Sequence, residues 1–347
     1  MRIVANNPRE CKVAAAASLL LMMTAPDYAV AQVDSSYKGV TVRIVTGYNP
    51  PSVFDTYARV LAEYIGRHLP GTPTVIVQNM PGAGGLTATR WLTQAAPKDG
   101  AVLALPNPAN VIEPLLNPEA AKFDPAGLTW IGSMNSEIST CGFWNERVRN
   151  LEEMRSKSLV VGSTGPSSGS TIDVLILKDL LNLDMRIISG YQSLAEMRLA
   201  SEKKELDGHC GITVTTLKSA MGEAFKAGAV RVPIQMGLHK HPGLPDVPNA
   251  FDLVREERDK QLLKLMFGPW YFGRPIAAPT GTPNSRILAL RAAFDATMKD
   301  QAFLASAKAR SLEINSIPGA EVEDLVKQIN NTPKPVIERA QKILGIK

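Results

Sequence analysis

TVIVQNMPGAGGLTATRW, residues 74–91, joins an apolar β-branched run to a glycine loop and then to a helical pattern. The run Val75–Val77 predicts a strand that stops at Pro81, and Gly82–Gly85 forms the loop. A helix that starts directly after such a loop presents free backbone N–H groups and its positive dipole end to an anion. The stretch predicts an α/β fold with an anion site at a strand end, and the anion is either a phosphate or a carboxylate.

The glycine loop does not match the known nucleotide-binding fingerprints. Gly82–Gly85 lacks the wider spacing that ends in a third glycine, and no acidic residue follows about 20 residues later at a strand end. No Gly-Lys-Ser or Gly-Lys-Thr follows the loop, so a P-loop is excluded as well. A purely structural tight turn is the alternative to anion binding through the backbone amides.

Strand and helix patterns alternate along most of the chain, which predicts largely parallel sheets with helices on their faces. Predicted strands cover 40–45, 74–78, 101–105, 128–134, 141–144, 159–162, 185–189, 208–214 and 230–237. Predicted helices cover 55–68, 86–95, 150–156, 172–181, 194–201, 251–266, 288–298, 301–309, 322–329 and 335–344. Residues 267–278 are an apolar stretch, and we expect its aromatic part, 267–272, to pack in the core or between the domains, with stacking on a ligand as the alternative. The order predicts two domains that face each other across a cleft, one of residues 32–137 with 241–347 and one of residues 138–240.

Composition excludes several classes of function. The chain has 347 residues, 45% of them hydrophobic, which is enough for two medium-sized cores. Its formal charge of +5 is not gathered in a basic block, so we expect no nucleic-acid partner. No group of histidine, cysteine and carboxylate residues has metal-ligand spacing, and we expect neither a metal nor a cofactor.

The first 31 residues have the pattern of a secretory signal peptide. Arg2, Arg9 and Lys12 precede a short apolar run at 13–24, and a small-x-small site at 29–31 comes before Gln32. The run is too short to span a bilayer comfortably, although a buried or anchoring helix is the alternative. We expect cleavage near Ala31 and a mature protein that is soluble in the periplasm.

Cleavage would leave two cysteines, Cys141 and Cys210, both in apolar, strand-like runs. In an oxidising compartment two cysteines allow one intramolecular disulfide. Two buried thiols that never meet are the alternative. We expect the disulfide.

Residues 165–169 formally match the Gly-x-Ser-x-Gly nucleophile elbow, with Ser167 as the nucleophile, between a strand and a helix. A hydrolase would need a later histidine, and the candidates are His209, His239 and His241. The last two flank a lysine in a proline-rich loop, which is a poor support for a rigid base. The simpler interpretation is that the hydroxyl and N–H groups of this loop hold a carboxylate without chemistry.

An ordered set of motifs resembles the periplasmic solute receptors of tripartite tricarboxylate transporters, also called Bug proteins. The motifs are VQNMPGAGG (77–85), APKDG (96–100), GSTGPSSGS (162–170), LPDVP (244–248) and APTGTP (278–283). The resemblance covers nearly the whole chain after residue 31. Each motif is weak alone, but their order is specific.

The resemblance implies a two-lobed α/β periplasmic-binding-protein fold of type II, the Venus flytrap. It implies a receptor, not an enzyme, that captures a small organic acid and delivers it to membrane subunits of the transporter. We expect the receptor to be a monomer. A sensory binding protein without transport is the other non-enzyme alternative. By position in the family, the residues expected to bind the ligand are Tyr48, Ser52, Phe54, Asp55, Gly84, Asn107, Ser163, Thr164, Ser167, Ser168, Ser170, Thr171, Tyr191, Gly211 and Thr213.

The first ligand loop departs from the family pattern. Pro51, Ser52 and Val53 stand where a glycine run is usual before Asp55. Proline removes an N–H donor, and a β-branched residue resists the backbone angles that glycine permits. We therefore expect this loop to alter the ligand preference toward a smaller, differently charged or more apolar acid.

Overall fold

The computed structural model describes residues 36–144, 146–165 and 168–346, and the predicted signal peptide and Ser167 lie outside them. Up to residue 133 the elements are β1 (Thr41–Thr46), α1 (Val53–Ile65), β2 (Thr74–Asn79), α2 (Leu86–Gln94), β3 (Val102–Leu105), α3 (Glu113–Leu116), α4 (Pro118–Ala121) and β4 (Thr129–Ser133). The middle part contains β5 (Ser139–Phe143), α5 (Leu151–Ser156), β6 (Leu159–Ser163), α6 (Gly169–Leu181), β7 (Met185–Ser189), α7 (Leu194–Glu202), β8 (Gly208–Thr213), α8 (Val214–Lys226) and β9 (Gln235–Met236). The last part contains α9 (Ala250–Leu253), α10 (Glu257–Phe267), β10 (Pro275–Ala278), α11 (Asn284–Thr297), α12 (Gln301–Ala309), β11 (Ile317–Pro318), α13 (Gly319–Asn330) and α14 (Lys334–Leu344).

The strands form two mixed sheets, which confirms the predicted α/β class. The first sheet has the order β11-β4-β10-β3-β1-β2, and the second has the order β7-β6-β8-β5-β9. In the first sheet β1 pairs in parallel with β2 and β3, while β10 is antiparallel to β3 and β4. In the second sheet β6 pairs in parallel with β7 and β8, while β5 is antiparallel to β8 and β9. Each sheet thus contains one strand that follows the chain's passage from the other sheet. This strand is β5 in the second sheet and β10 in the first.

The carboxyl ends of the parallel strands lie on facing edges of the two sheets. The chain leaves the first sheet at Ser133 and enters the second at Ser139, whose partner Thr213 ends β8. It returns at Pro275, whose partner is Ser133. Six residue steps span at most about 20 Å, so the two edges must lie close together. Ligands of open α/β sheets bind at such edges.

Helices cover both faces of the first sheet. On one face α1, α11 and α12 pack against strand residues such as Ile44 and Leu103, which are fully buried. On the other face α13 packs against β4, and α14 packs against α3 of this half and α6 of the second half. Among the described helices none is long and apolar enough to cross a membrane.

Several predicted elements differ from the observed ones. Residues 214–226, for which no helix was predicted, form α8, although they include β-branched Val214 and Gly222. The strand predicted at 230–237 is reduced to Gln235–Met236 because Pro233 has no N–H to donate to the ladder. The single helix predicted at 251–266 is two helices, α9 and α10.

A disulfide joins Cys141 of β5 to Cys210 of β8, and both residues are fully buried. It links neighbouring antiparallel strands within the second sheet. His209, which precedes Cys210 in the chain, stacks on Trp144 with 5.0 Å between ring centroids.

Candidate functional site

Tyr48 follows the carboxyl end of β1 and connects several polar groups there. Its hydroxyl donates to the carbonyl of Gly84 at 2.9 Å and accepts from Asn107 Nδ2 at 2.5 Å. Its ring stacks on Phe54 with 4.6 Å between centroids. Burial raises the pKa of the Tyr48 phenol, so the ring stays neutral. The ends of β1 and β3, the glycine loop and the start of α1 therefore form one surface.

Asp55 supports this surface through its side-chain partners. Its buried carboxylate accepts from Arg59 at 2.8 and 3.0 Å and from Asn79 Nδ2 at 2.7 Å. The same Asn79 amide donates to the Tyr48 carbonyl at 2.7 Å. Burial alone would raise the pKa of Asp55, but the bonds from Arg59 and Asn79 lower it overall. The carboxylate thus anchors the loop and accepts three hydrogen bonds.

The first loop has few free donors. Ser52 caps α1 by accepting from the Asp55 N–H at 3.1 Å, and its own N–H donates to the Asn49 carbonyl at 3.1 Å. Pro51 has no N–H. The N–H groups of Val53 and Phe54 remain without a hydrogen-bond acceptor among the described residues. Anion capture by this loop would depend on these two amides.

The serine-rich loop after β6 forms a closed set of hydrogen bonds. Ser163 Oγ bonds to Thr171 Oγ1, and Ser168 Oγ lies 2.7 Å from Ser170 Oγ. Ser170 Oγ accepts from the Thr164 N–H at 3.2 Å. Five of the predicted ligand residues in this loop are therefore brought together, and Ser167 lies outside the described residues.

Helix α6 begins from this loop, and two of its first N–H groups have no partner among the described residues. The N–H groups of Gly169 and Ser170 have no hydrogen-bond acceptor in the described part of the chain. A Cβ on Gly211, whose φ is +77°, would come within 2.6 Å of Ser170 N. Only glycine lets β8 approach the start of α6 so closely. Helix α6 has 13 residues, so its positive end and these donors suit an anion.

The two remaining predicted residues lie on the same edge of the second sheet. Thr213 caps α8, and its Oγ1 accepts from the Thr216 N–H at 3.2 Å. The Tyr191 N–H donates to the Ser163 carbonyl at 3.4 Å, which holds the end of β7 beside the serine-rich loop.

None of the described hydrogen bonds joins a histidine to the serine-rich loop. His209 lies at the opposite end of β8 from Thr213, is fully buried, and burial lowers its pKa to about 4. His241 lies 3.6 Å from the Glu313 carboxylate, and His239 packs edge-on against Tyr271. In the described residues no group of histidine, cysteine and carboxylate side chains could hold a metal ion.

Sequence reasoning missed a buried polar group between the two sheets, made of Arg274, Glu137, Asn135 and Thr215. Arg274 rests on the Phe54 ring, with 4.5 Å from Cζ to the centroid, and so touches the first loop. Arg274 is the only charged residue in the apolar stretch 267–278, and Glu137 is the only one in 134–143. Arg274, as a lone charge in the apolar stretch 267–278, was the signal that could have revealed the group.

No family model matches the sequence, and no curated protein matches it significantly. Solved structures do resemble the fold. One is a TctC solute binding protein from Polaromonas, at 15% identity and a TM-score of 0.66, over 86% of this chain and 98% of that one. A second is the periplasmic binding protein BugD, at 21% identity and a TM-score of 0.60, over 88% and 98% of the two chains.

A third similar structure is MatC from Rhodopseudomonas palustris, which was solved with bound malate. It has 19% identity and a TM-score of 0.58, over 88% of this chain and 98% of that one. At such identities the likeness establishes the fold alone. The chain has the two-lobed α/β fold of the periplasmic binding proteins.

Proposed function

We propose that this chain is a periplasmic receptor of the tripartite tricarboxylate transporter type, which captures a small organic acid and presents it to membrane subunits. The observation that carries the proposal is the pair of 13-residue helices, α1 and α6. Both start at facing sheet edges, and each has two N–H groups without a hydrogen-bond acceptor among the described residues. Aligned helix dipoles and free amides favour a carboxylate between them.

The motif order and the fold support the same proposal. The glycine loop and the serine-rich loop occupy the strand ends where the Bug resemblance predicts ligand contacts. One protein of the same fold was solved with malate. The signal-peptide pattern supports export, and the ligand-binding residues named from the sequence remain the proposed set. We propose the predicted boundaries, near residues 137 and 240, as the limits of the two lobes.

Binding would follow closure of the lobes, with α1 contributing from one side and α6 from the other. The acid would bind without being chemically changed, with its carboxylate held by the amides at the start of α6. A sensory partner instead of a transporter would use the same site, and the neighbouring genes would distinguish the two roles.

Isothermal titration against mono-, di- and tricarboxylates tests the proposal, with the matching neutral amides as ligand controls. We expect at least one acid to bind and its amide to bind far more weakly, because the site holds negative charge. Binding of no acid, together with ester hydrolysis that disappears in Ser167→Ala, would replace the receptor with a hydrolase.

The variant Gly169→Pro isolates one donor of the site. Proline fits the first position of a helix, and the preceding Ser168 already has the extended conformation that proline requires. Loss of one charge-assisted hydrogen bond should weaken acid binding by roughly ten- to a hundredfold. Gln301→Pro makes the same change at the first position of α12, which is exposed, and should leave the affinity unchanged.

A further inference from the structure

Arg274 is buried between the two sheets without a full set of partners. Only 5% of the residue is exposed, and its guanidinium packs on the rings of Phe54 and Tyr57, at 4.5 and 5.1 Å from Cζ to the centroids. Nη1 donates to the neighbouring Gly273 carbonyl at 2.6 Å. Nε has no hydrogen-bond partner among the residues that the structure describes. A buried arginine normally has its planar fork filled by acceptors.

Glu137 is close to Arg274 but does not satisfy it. Its Oε1 lies 3.9 Å from Nη2, which is too long for the hydrogen-bonded pairing that arginine makes with carboxylates. The Glu137 oxygens instead accept from Asn135 Nδ2 at 3.2 Å and from the Thr215 N–H at 3.4 Å. The guanidinium therefore keeps donors for another acceptor.

Two buried atoms beside Glu137 have no partner in the described part of the chain. They are Arg274 Nε and Asn135 Oδ1, and each belongs to a residue that contacts Glu137. Buried polar atoms almost always have partners, so a cluster of unpaired ones marks a place where a partner binds. A donor from arginine with an acceptor from asparagine suits a ligand carboxylate together with a water molecule.

The charge of this cluster favours an anion. A guanidinium group is a cation, and Glu137, at 3.9 Å from Nη2, is the carboxylate nearest to it among the printed ion pairs of the described residues. Burial raises the pKa of Glu137, and the field of Arg274 opposes that rise. The Glu137 oxygens accept from Asn135 and Thr215 instead of pairing closely with the guanidinium, which leaves room for an anionic partner.

The cluster adjoins the proposed ligand site on both sides. Phe54, on which Arg274 rests, stacks on Tyr48 of the first lobe. Thr215 lies in the first turn of α8, two residues after Thr213 of the second lobe. An acid held by one carboxylate at α6 would extend toward this cluster as the lobes close.

We propose that Arg274 binds a second anionic group on the captured acid and so selects dicarboxylates over monocarboxylates of the same length. The inference rests on the proposed function, because it concerns the same site. It assigns the selection to one residue of this chain, and the altered first loop contributes the Phe54 ring that holds the guanidinium in place.

Titration calorimetry with matched acids tests the proposal. The pairs are succinate and butanoate, glutarate and pentanoate, and adipate and hexanoate, which differ only in the terminal carboxylate. The unaltered protein should bind at least one diacid about tenfold or more tightly than its monoacid partner. Arg274→Met should bring that ratio close to one and change the affinity for the monoacid much less.

Two further variants keep the result interpretable. Arg67→Met removes an arginine that stacks on Tyr64 at 4.5 Å, at the far end of α1, and should leave the ratio unchanged. If Arg274→Met does not fold, Arg274→Met combined with Glu137→Gln removes the carboxylate left behind, and the same ratio is measured on it. Thermal unfolding confirms that each variant is folded.

The outcomes are distinct. A preserved ratio in folded Arg274→Met, or an equal loss of affinity for both acids of a pair, would overturn the role of Arg274 and leave the receptor function standing. Equal affinity of the unaltered protein for diacids and monoacids would do the same. Failure of the unaltered protein to bind any acid would refute the receptor function itself, and this inference with it.

Discussion

Replacing Asp173 with asparagine should remove a large pH dependence of stability. Asp173 lies on α6 behind the serine-rich loop and is 2% exposed. Its carboxyl accepts from Ser139 Oγ and interacts with the Gly211 N–H. No cation pairs with it in the described residues, and burial raises its pKa from 3.8 to about 7.

The direction of the effect follows from this raised pKa. Between about pH 4 and pH 7 the folded protein keeps the Asp173 proton, whereas the unfolded chain has released it. The free energy of unfolding therefore falls as the pH rises through this window and stays level above it. A shift of about three units corresponds to a loss of about 4 kcal/mol.

The asparagine side chain introduced by Asp173→Asn has nearly the shape of the protonated carboxyl and does not titrate. The variant should therefore be several kcal/mol more stable than the unaltered protein at pH 8, with the two nearly equal at pH 4. Urea unfolding at intervals from pH 4 to pH 8 measures the difference.

Asp246→Asn, at an exposed position in the proline-rich loop, is the matched control and should follow the unaltered protein at every pH. The reasoning about burial fails if the stability difference between Asp173→Asn and the unaltered protein is the same at pH 4 and at pH 8.

Three other predictions can be tested, two with substitutions and one on the unaltered protein. Ser52→Ala removes the cap of α1 and should lower the free energy of unfolding by about 1 kcal/mol, measured by urea titration; no loss would contradict the cap. Gly208→Ala places a Cβ 2.1 Å from the Gly142 carbonyl oxygen, so the melting temperature should fall by several degrees, and an unchanged value would contradict the close strand contact. Cys141 and Cys210 of the exported protein should resist alkylation until reduced, and mass spectrometry that finds both alkylated without reduction would contradict the disulfide.

Much of the fold could be predicted because local patterns and tertiary structure agree. The strand at 185–189 and the helix at 301–309 have the predicted bounds, since β-branched runs and a capped amphipathic pattern each specify one conformation. The strand β10 was missed because its four residues continue an apolar stretch that also contains a 3₁₀ helix at 268–272. A short apolar run has no periodicity that separates the two.

The candidate site was predictable only in its loops. Glycines, serines and threonines at strand ends predict the start of a helix, and the structure has α2 and α6 at these positions. The hydrogen bond from Asn79 to Asp55 was not predictable, because Asn79 ends strand β2, 24 residues after Asp55, whereas Arg59 is a local partner four residues along the same helix.

The sequence alone determined the α/β class, the sites of the glycine and serine-rich loops and the pair of cysteines, because each depends on residues that are near neighbours in the chain or on a simple count. The tertiary structure decided that Arg274 faces Phe54 and Glu137, which are 220 and 137 positions away from it. Their meeting depends on the two crossings between the sheets, and no local pattern specifies how far apart two crossing segments settle. A buried charge acquires its chemistry from the partners that folding brings to it, and for Arg274 the partners among the described residues leave donors unfilled.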